Sequence, residues 1–307
     1  MSYTVELKNE LAHVSVQKRC CRMAELAALA KTCASLNFAG GGKFSLTFAT
    51  ELEAAASRIM SLCRELYGLT PDMLLLQKTQ PRRSSIYQLE LAAGDAEQKM
   101  LRELGLTFEE TAPTLEQLSQ RECCAISALR GAFLGCGMLA DPHKQYRLEF
   151  VLYSESTADS ISALLAKAGI ESKWATRAER EVIYLKDSES IISLLSSMGA
   201  HKMLLELENV RVIKDVRNNI NRRNNCDSAN IDKTVNASLR QQEDIRLLLA
   251  EGKQLRLSQA LREAAELRLS MPDATLQELA DELCISRSAM NNRLRKLAEL
   301  AEQLRNL

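Results

Sequence analysis

"CCAISALRGAFLGCGML", residues 123–139, is a second copy of "CCRMAELAALAKTCASL", residues 20–36. Laid at an offset of 103 residues without a gap, Cys20/Cys123, Cys21/Cys124, Leu26/Leu129, Cys33/Cys136 and Leu36/Leu139 coincide. Three of these five identities are cysteine, in a chain of 307 residues that holds only nine. A match of that kind at long period marks a duplicated unit. Both stretches read as helices, because Leu26, Leu29, Cys33 and Leu36, and likewise Leu129, Phe133, Cys136 and Leu139, recur at helical spacing. The small residues Ala27, Ala28, Gly131, Gly135 and Gly137 let two such helices approach closely.

Working outward, each copy is followed by the same text. Strand-like "KFSLTFAT" (43–50) and "YRLEFVLYS" (146–154) lead into helical "ELEAAASRIMSLCRELYG" and "ESTADSISALLAKAGI". Next come "SSIYQLELA" with "DAEQKMLRELG", and "EVIYLKD" with "SESIISLLSSMG". The order helix–strand–strand–helix–strand–strand–helix therefore occurs twice. It predicts an α+β fold, a duplicated αββαββα domain over 20–208 with halves at about 20–110 and 123–205. Residues 1–19 are left as a short N-terminal segment.

This order, with the repeated first helix, resembles the single-chain LAGLIDADG homing endonuclease fold over about residues 20–200. The resemblance implies two motif helices packed at a pseudo-twofold axis, each ending in an acid that holds a divalent metal at the DNA backbone. The aligned slots hold Cys33 and Cys136, and Lys31 and Leu134 fill the family's other acidic position. A thiol is a soft ligand and a poor partner for Mg2+. The nuclease chemistry is therefore expected to be absent, and both cysteines are read as helix-packing residues. A zinc site is not expected either: "CC" pairs fit the usual C-x2-C spacing poorly, and His13, His143 and His201 are scattered. As catalytic thiols, Cys33 and Cys136 lie at the wrong end of their helices.

Composition narrows the rest. Aromatic residues make up 4% and the formal net charge is +0, so any nucleic-acid contact must arise from local asymmetry. No apolar run approaches a membrane span, and the opening "MSYTVELKNELAHV" is not a signal peptide. The expectation is a soluble cytoplasmic, nucleoid-associated protein with free thiols, no membrane contact, no small-molecule substrate and no cofactor.

One such asymmetry lies in "VRVIKDVRNNINRRNNCDSANIDKTVNAS", 210–238. From 211 to 223 it carries Arg211, Lys214, Arg217, Arg222 and Arg223 against Asp215 alone. Asn218, Asn225 and five further asparagines crowd it, and asparagine favours caps and turns over helix interiors. The stretch reads as a bridge, 209–238, either a solvated linker or a nucleic-acid or interdomain contact. Its donors, Lys233 included, favour the contact.

The C-terminal domain, 239–307, ends in "TLQELADELCISRSAMNNRLRKLAELAEQL". Thr275 with Glu278 three residues on is a capping box. Leu276, Leu279, Ala280 and Leu283 form one apolar face. Cys284-Ile285-Ser286 is a short turn, and Ser286 caps a second helix whose buried side carries Met290, Leu294 and Leu297. This is a helix-turn-helix pattern with Cys284 where the turn glycine often stands. The second helix carries Arg287, Arg293, Arg295 and Lys296 and no acid from 286 to 296. Arg287, Ser288, Asn291, Asn292 and Arg295 form its outer side, with Arg suited to guanine, Asn to adenine and the remaining cations to phosphate.

The stretches "RNNINRRNNCDSANIDKT" and "NNRLRKLAELAEQL", in this overall order, closely resemble the WhiA family of bacterial regulators. The resemblance spans essentially the full chain. It implies a DNA-binding protein of transcription control, cell division and chromosome segregation, and of sporulation in sporulating relatives. Its partner is double-stranded DNA, with other transcription or cell-division proteins as further candidates. Binding is expected to be bipartite. The helix-turn-helix reads bases, and the strands of the repeat offer Lys43, Lys78, Arg82, Arg83, Arg147, Lys173, Arg177 and Arg180. The rival readings are a metal-dependent endonuclease and a protein-interaction scaffold.

Overall fold

The structure is a computed structural model that describes residues 2–78, 84–107, 111–251 and 257–306. It divides into two units, Met1–Lys214 and Asp215–Leu307.

In the first unit, helix α1 (Tyr3–Ala12) precedes motif helix α2 (Arg19–Cys33), which runs directly into strand β1 (Ala34–Gly40). Then follow β2 (Lys43–Thr50), α3 (Glu53–Tyr67), β3 (Asp72–Lys78), β4 (Ser84–Leu91) and α4 (Asp95–Glu103). A one-turn helix α5 (Leu115–Leu118) leads to the second copy, which begins with motif helix α6 (Glu122–Cys136). It continues with β5 (Gly137–Leu139), β6 (Leu148–Leu152), α7 (Glu155–Lys167), β7 (Lys173–Arg177), β8 (Arg180–Leu185) and α8 (Ser188–Met198). The strand orders are β1-β2-β4-β3 and β5-β6-β8-β7, both antiparallel throughout. The duplication read from the cysteines is thus a duplication of topology.

The seam between the copies is the α2–α6 pair. Leu26, Leu29, Leu129 and Phe133 are fully buried in one core shared by both halves. The letters of "LRGAFLGCG" each have a packing reason. A Cβ on Gly131 would lie 2.2 Å from the carbonyl oxygen of Glu25, and one on Gly135 2.0 Å from Thr32 Oγ1. Gly137 leaves room for the ring of Phe133, which meets Phe150 of β6 edge to face at 5.9 Å. Arg130 joins a buried ion cluster. Glu25 accepts from Arg58 Nε at 2.7 Å and from Arg130 at 3.4 Å, and Arg130 Nε donates to the Met198 carbonyl at 2.9 Å. Four helices are tied at one point, where losing one partner would strand a buried charge at a cost of about 3–5 kcal/mol.

The N-terminal segment is integral to this unit. Leu7 and Leu11 of α1 are fully buried, and Thr4 exchanges hydrogen bonds with the backbone of Leu139 at 2.9 and 3.0 Å.

Helix α9 (His201–Glu251) follows, and the division between the units falls within it. The carboxylate of Glu10 accepts from the backbone N–H groups of Lys202 and Met203 at its start. The Asn-rich bridge is therefore helix, against the expectation of turns or a linker. No Gly or Pro occurs between Ala200 and Gly252, and an asparagine costs under about 0.7 kcal/mol of propensity in a helix, so nothing local stops it. The second unit completes with α10 (Gln259–Ser270), α11 (Leu276–Glu282) and α12 (Arg287–Arg305). Ile245 and Leu248 of α9, Ala264 and Ala265 of α10, and Leu279, Met290 and Leu294 share its core. Among the described residues no helix is long and apolar enough to cross a membrane.

Candidate nucleic-acid interface

Two places invite chemistry: the C-terminal ends of the motif helices, and the last three helices of the chain.

At the first, Cys33 and Cys136 each donate to the carbonyl one turn back, at 3.2 and 3.3 Å. Burial pushes both thiols up to about 12, with Lys8 of α1 acting in the opposite direction on both. Lys8 itself is held below its usual value by burial, although Cys136, Cys33 and Glu51 favour its charge. Lys8, Glu51, Thr50 and Gly135 line a hollow of about 560 Å3. Two neutral thiols beside a cationic amine do not suit a hard divalent ion, which needs oxygen donors. The donor set does not fit the metal of the homing endonucleases, and no metal-dependent step follows from it.

At the second, the local sequence builds a rigid corner. Thr275 Oγ1 accepts from the Glu278 N–H at 3.3 Å, and Glu278 accepts from the Thr275 N–H at 2.7 Å, a complete capping box. The end of α11 is closed by Cys284 N–H to Asp281 at 3.0 Å and Ile285 N–H to Ala280 at 2.9 Å. That Schellman closure requires a left-handed residue, and Cys284 adopts φ +52° without being glycine. Ser286 then accepts from the Ala289 N–H at 3.2 Å and starts α12.

The first turns of α12 expose Arg287, Ser288, Asn291, Asn292, Arg295 and Lys296. These positions recur at four-residue intervals and share a face, whose length from Arg287 to Arg295 is about 12 Å at 1.5 Å per residue. A major groove is about as wide. Arg295 and Lys296 reach Glu299 at 3.6 and 3.5 Å, exposed pairs that bind weakly enough to exchange for phosphate.

Three expectations need correction. Arg293, read as a phosphate contact, turns inward and donates to the Ala260 carbonyl at 3.4 Å beside Glu263, so it clamps α10 to α12. The hydroxyl oxygens of Thr275 and Ser286 are occupied as helix caps, so both position the corner. In the bridge, Arg211 pairs with Glu189 at 3.4 Å, and Lys214 donates to the Pro142 carbonyl at 2.6 Å and lies over the ring of Tyr146. Both are committed within the first unit.

The other bridge residues, Arg217, Asn218, Arg222, Arg223, Asn225 and Lys233, are exposed along α9. Lys233 meets Arg287, Thr275, Gln277 and Arg268 around a hollow of about 390 Å3, in which Arg268 Nε and Gln241 Oε1 have no hydrogen-bond partner. The fold thus brings one bridge cation to the recognition helix, an adjacency that no sequence spacing announces. On the sheets of the first unit, Lys43 pairs with Asp95 at 2.7 Å and Arg177 with Glu149 at 3.6 Å. Arg147 bonds Glu149 and lies over Tyr184, Arg180 lies over Tyr153, and Lys173 is exposed. Arg82, Arg83 and the side chain of Lys78 lie outside the described residues.

Sequence spacing also missed the opposite end of the motif helices. There Cys20, Cys21 and Cys124 place their sulfurs within 4.8 Å of one another. The poor fit of "CC" to zinc spacing considers one segment at a time, whereas these thiols come from two helices. The signal was present in the duplicated pair itself.

A LAGLIDADG-like double repeat joined to a helix-turn-helix unit is the class of protein that this architecture defines. Family models agree along the chain: the WhiA N-terminal LAGLIDADG-like domain matches residues 19–107, the WhiA LAGLIDADG-like domain 125–217, and the WhiA C-terminal HTH domain 220–301. The chain belongs to the WhiA family. It is 41% identical to a "Probable cell division protein WhiA" of Heliobacterium modesticaldum, over 98% of this chain and 96% of that one. A protein of the same name from Desulforamulus reducens is 39% identical over 100% and 97%. The crystal structure of full-length WhiA from Thermatoga maritima has the same fold, with a TM-score of 0.59 at 23% identity, covering 99% of this chain and 98% of that one.

Proposed function

We propose that this protein is a sequence-specific DNA-binding regulator of transcription with a role in cell division. The observation that carries the reading is the exposed face of the first turns of α12, without an acid from Ser286 to Lys296, held at a fixed angle by two capped helix starts and a closed turn. Arg287, Asn291, Asn292 and Arg295 read base edges. Ser288, Lys296 and Lys233 meet phosphates, Thr275 and Ser286 hold the corner that presents them, and Arg217, Asn218, Arg222, Arg223 and Asn225 extend the contact along α9. The names of the relatives support the cell-division role. Family resemblance extends it to chromosome segregation and, in sporulating relatives, sporulation. The working place is the cytoplasm, at the nucleoid. Endonuclease activity is not part of this reading, because the slots hold thiols and an amine.

The test begins with selecting bound sequences from a random duplex pool. Replacing Arg287 and Arg295 together by Ala should cost about 1–3 kcal/mol per lost base contact, that is about 5- to 150-fold each. Lys233→Ala should weaken all sequences alike and reduce the salt slope by about 1. Undiminished, sequence-selective affinity in the double variant would sink the assignment.

A further inference from the structure

The duplicated "CC" pairs stand at the N-terminal ends of the two motif helices, the end opposite Cys33 and Cys136. Cys21 and Cys124, equivalent in the repeat, face each other at 3.9 Å between sulfurs. Cys20 joins them within 4.8 Å. Cys123, the repeat equivalent of Cys20, lines one hollow together with Cys21. A tetrahedral zinc tetrathiolate, with Zn–S about 2.3 Å, requires sulfurs about 3.8 Å apart. The central pair already has that spacing.

We infer that Cys20, Cys21, Cys123 and Cys124 form a thiolate metal site, one that takes a single zinc ion and joins the two copies of the repeat at their helix starts.

Two further observations support it. Both helices begin without a side-chain cap, at Lys18 and Arg121, and the cysteines stand in their first turns. Such ends favour thiolate over thiol. There is also a route in: Cys21 and Cys123 line an open hollow of about 530 Å3 together with Lys18, Glu122 and Arg130. On binding, each ligating thiol gives its proton to solvent. The resulting negative complex is balanced by Lys18, Arg121 and the helix ends, with Glu122 opposing. Four thiols that merely pack would have no need of converging helix starts or of an opening.

The experiment uses the full chain, reduced and stripped of metal, with free thiols counted before titration. Co2+ should bind at one equivalent, giving the intense thiolate-to-metal band and visible bands of a tetrahedral cobalt thiolate. Zn2+ should then displace it. Cys20 and Cys123 are only half-buried, so the Cys20→Ser/Cys123→Ser variant keeps the core cysteines, and circular dichroism checks its fold. That variant should lose the band entirely, while Cys226→Ser should leave it unchanged. Zinc X-ray absorption of the wild-type protein, which needs no variant, should show sulfur neighbours at about 2.3 Å and no others. Absence of the band in fully reduced protein, its survival in the double variant, or a zinc shell of nitrogen and oxygen would each overturn the inference.

Discussion

Gly131 and Cys284 are opposite cases of one residue type deciding a close fit. At Gly131 the helix pair approaches so closely that an added methyl would meet the backbone of Glu25, which has no rotamer to move. Gly131→Ala should therefore destabilise the first unit by roughly 1–3 kcal/mol or more, read from denaturant midpoints, because overpacking forces the seam apart. Cys284 is a side chain where glycine belongs. Its left-handed backbone costs about 1–2 kcal/mol, of which glycine's extra freedom in the unfolded chain returns about 0.4–1. Cys284→Gly should thus raise the melting temperature of the second unit by the equivalent of under about 1 kcal/mol, with DNA affinity unchanged. A lower melting temperature would mean that the thiol makes a contact outweighing its strain. The glycines of the motif were legible as small residues, but their partners were not. Glu25 and Arg130 are 105 positions apart, and only the fold reveals that they pair.

Among elements, the helix starts were the most legible, because a cap is a local bargain between neighbours. Thr275 and Glu278 announced theirs, as did Ser286. The capping box also has a pH signature. The Thr275 backbone N–H and hydroxyl hold the Glu278 carboxyl below its ordinary value. Its stabilisation is complete above the unfolded-state value, near pH 4.3 for glutamate, and disappears as pH falls through the lower folded value. Thermal melts from pH 7 to 3 should show wild type losing more stability than Glu278→Gln, which keeps the hydrogen bond without titrating. Parallel curves for the two proteins would refute this. Helix α9 was the least legible element. Asparagine content argued for turns, yet exposed asparagines impose only a small propensity cost, and the absence of any breaker over its length counted for more. Arg293 was assigned to phosphate for a related reason: its charge is visible in the sequence but its neighbour is not, and α10 takes up the arginine.

Over the whole molecule, the duplication was legible and much of its chemistry was not. Identical residues at a fixed offset revealed two copies, their topology and a cysteine at the same place in both motif ends. They could not show that Lys8 stands beside the two substituted slots, since α1 belongs to neither copy. Nor could they show that four cysteines converge, because convergence belongs to the pairing of copies. The function is divided accordingly. The first unit is a scaffold whose motif-helix ends hold thiols beside an amine, and the second carries the exposed cationic helix on which DNA recognition is proposed to rest.

The α2–α6 seam has a consequence for how this chain can be cut. Each half of the repeat keeps its own four-stranded sheet, but its first helix buries much of its apolar side against the other copy. In effect the first unit is a dimer written into one polypeptide, with the stretch between α4 and α6 as its tether. Severing that tether would turn an internal core into a subunit interface, and either half alone would carry an unsatisfied association surface of leucine, alanine and glycine. The tether sets the local concentration of the two halves so high that pairing with the proper mate always outcompetes pairing with another molecule. Its job is fidelity of partner, and its described part is itself anchored, with Leu115 in the shared core and the Ser119 carbonyl held by Lys167.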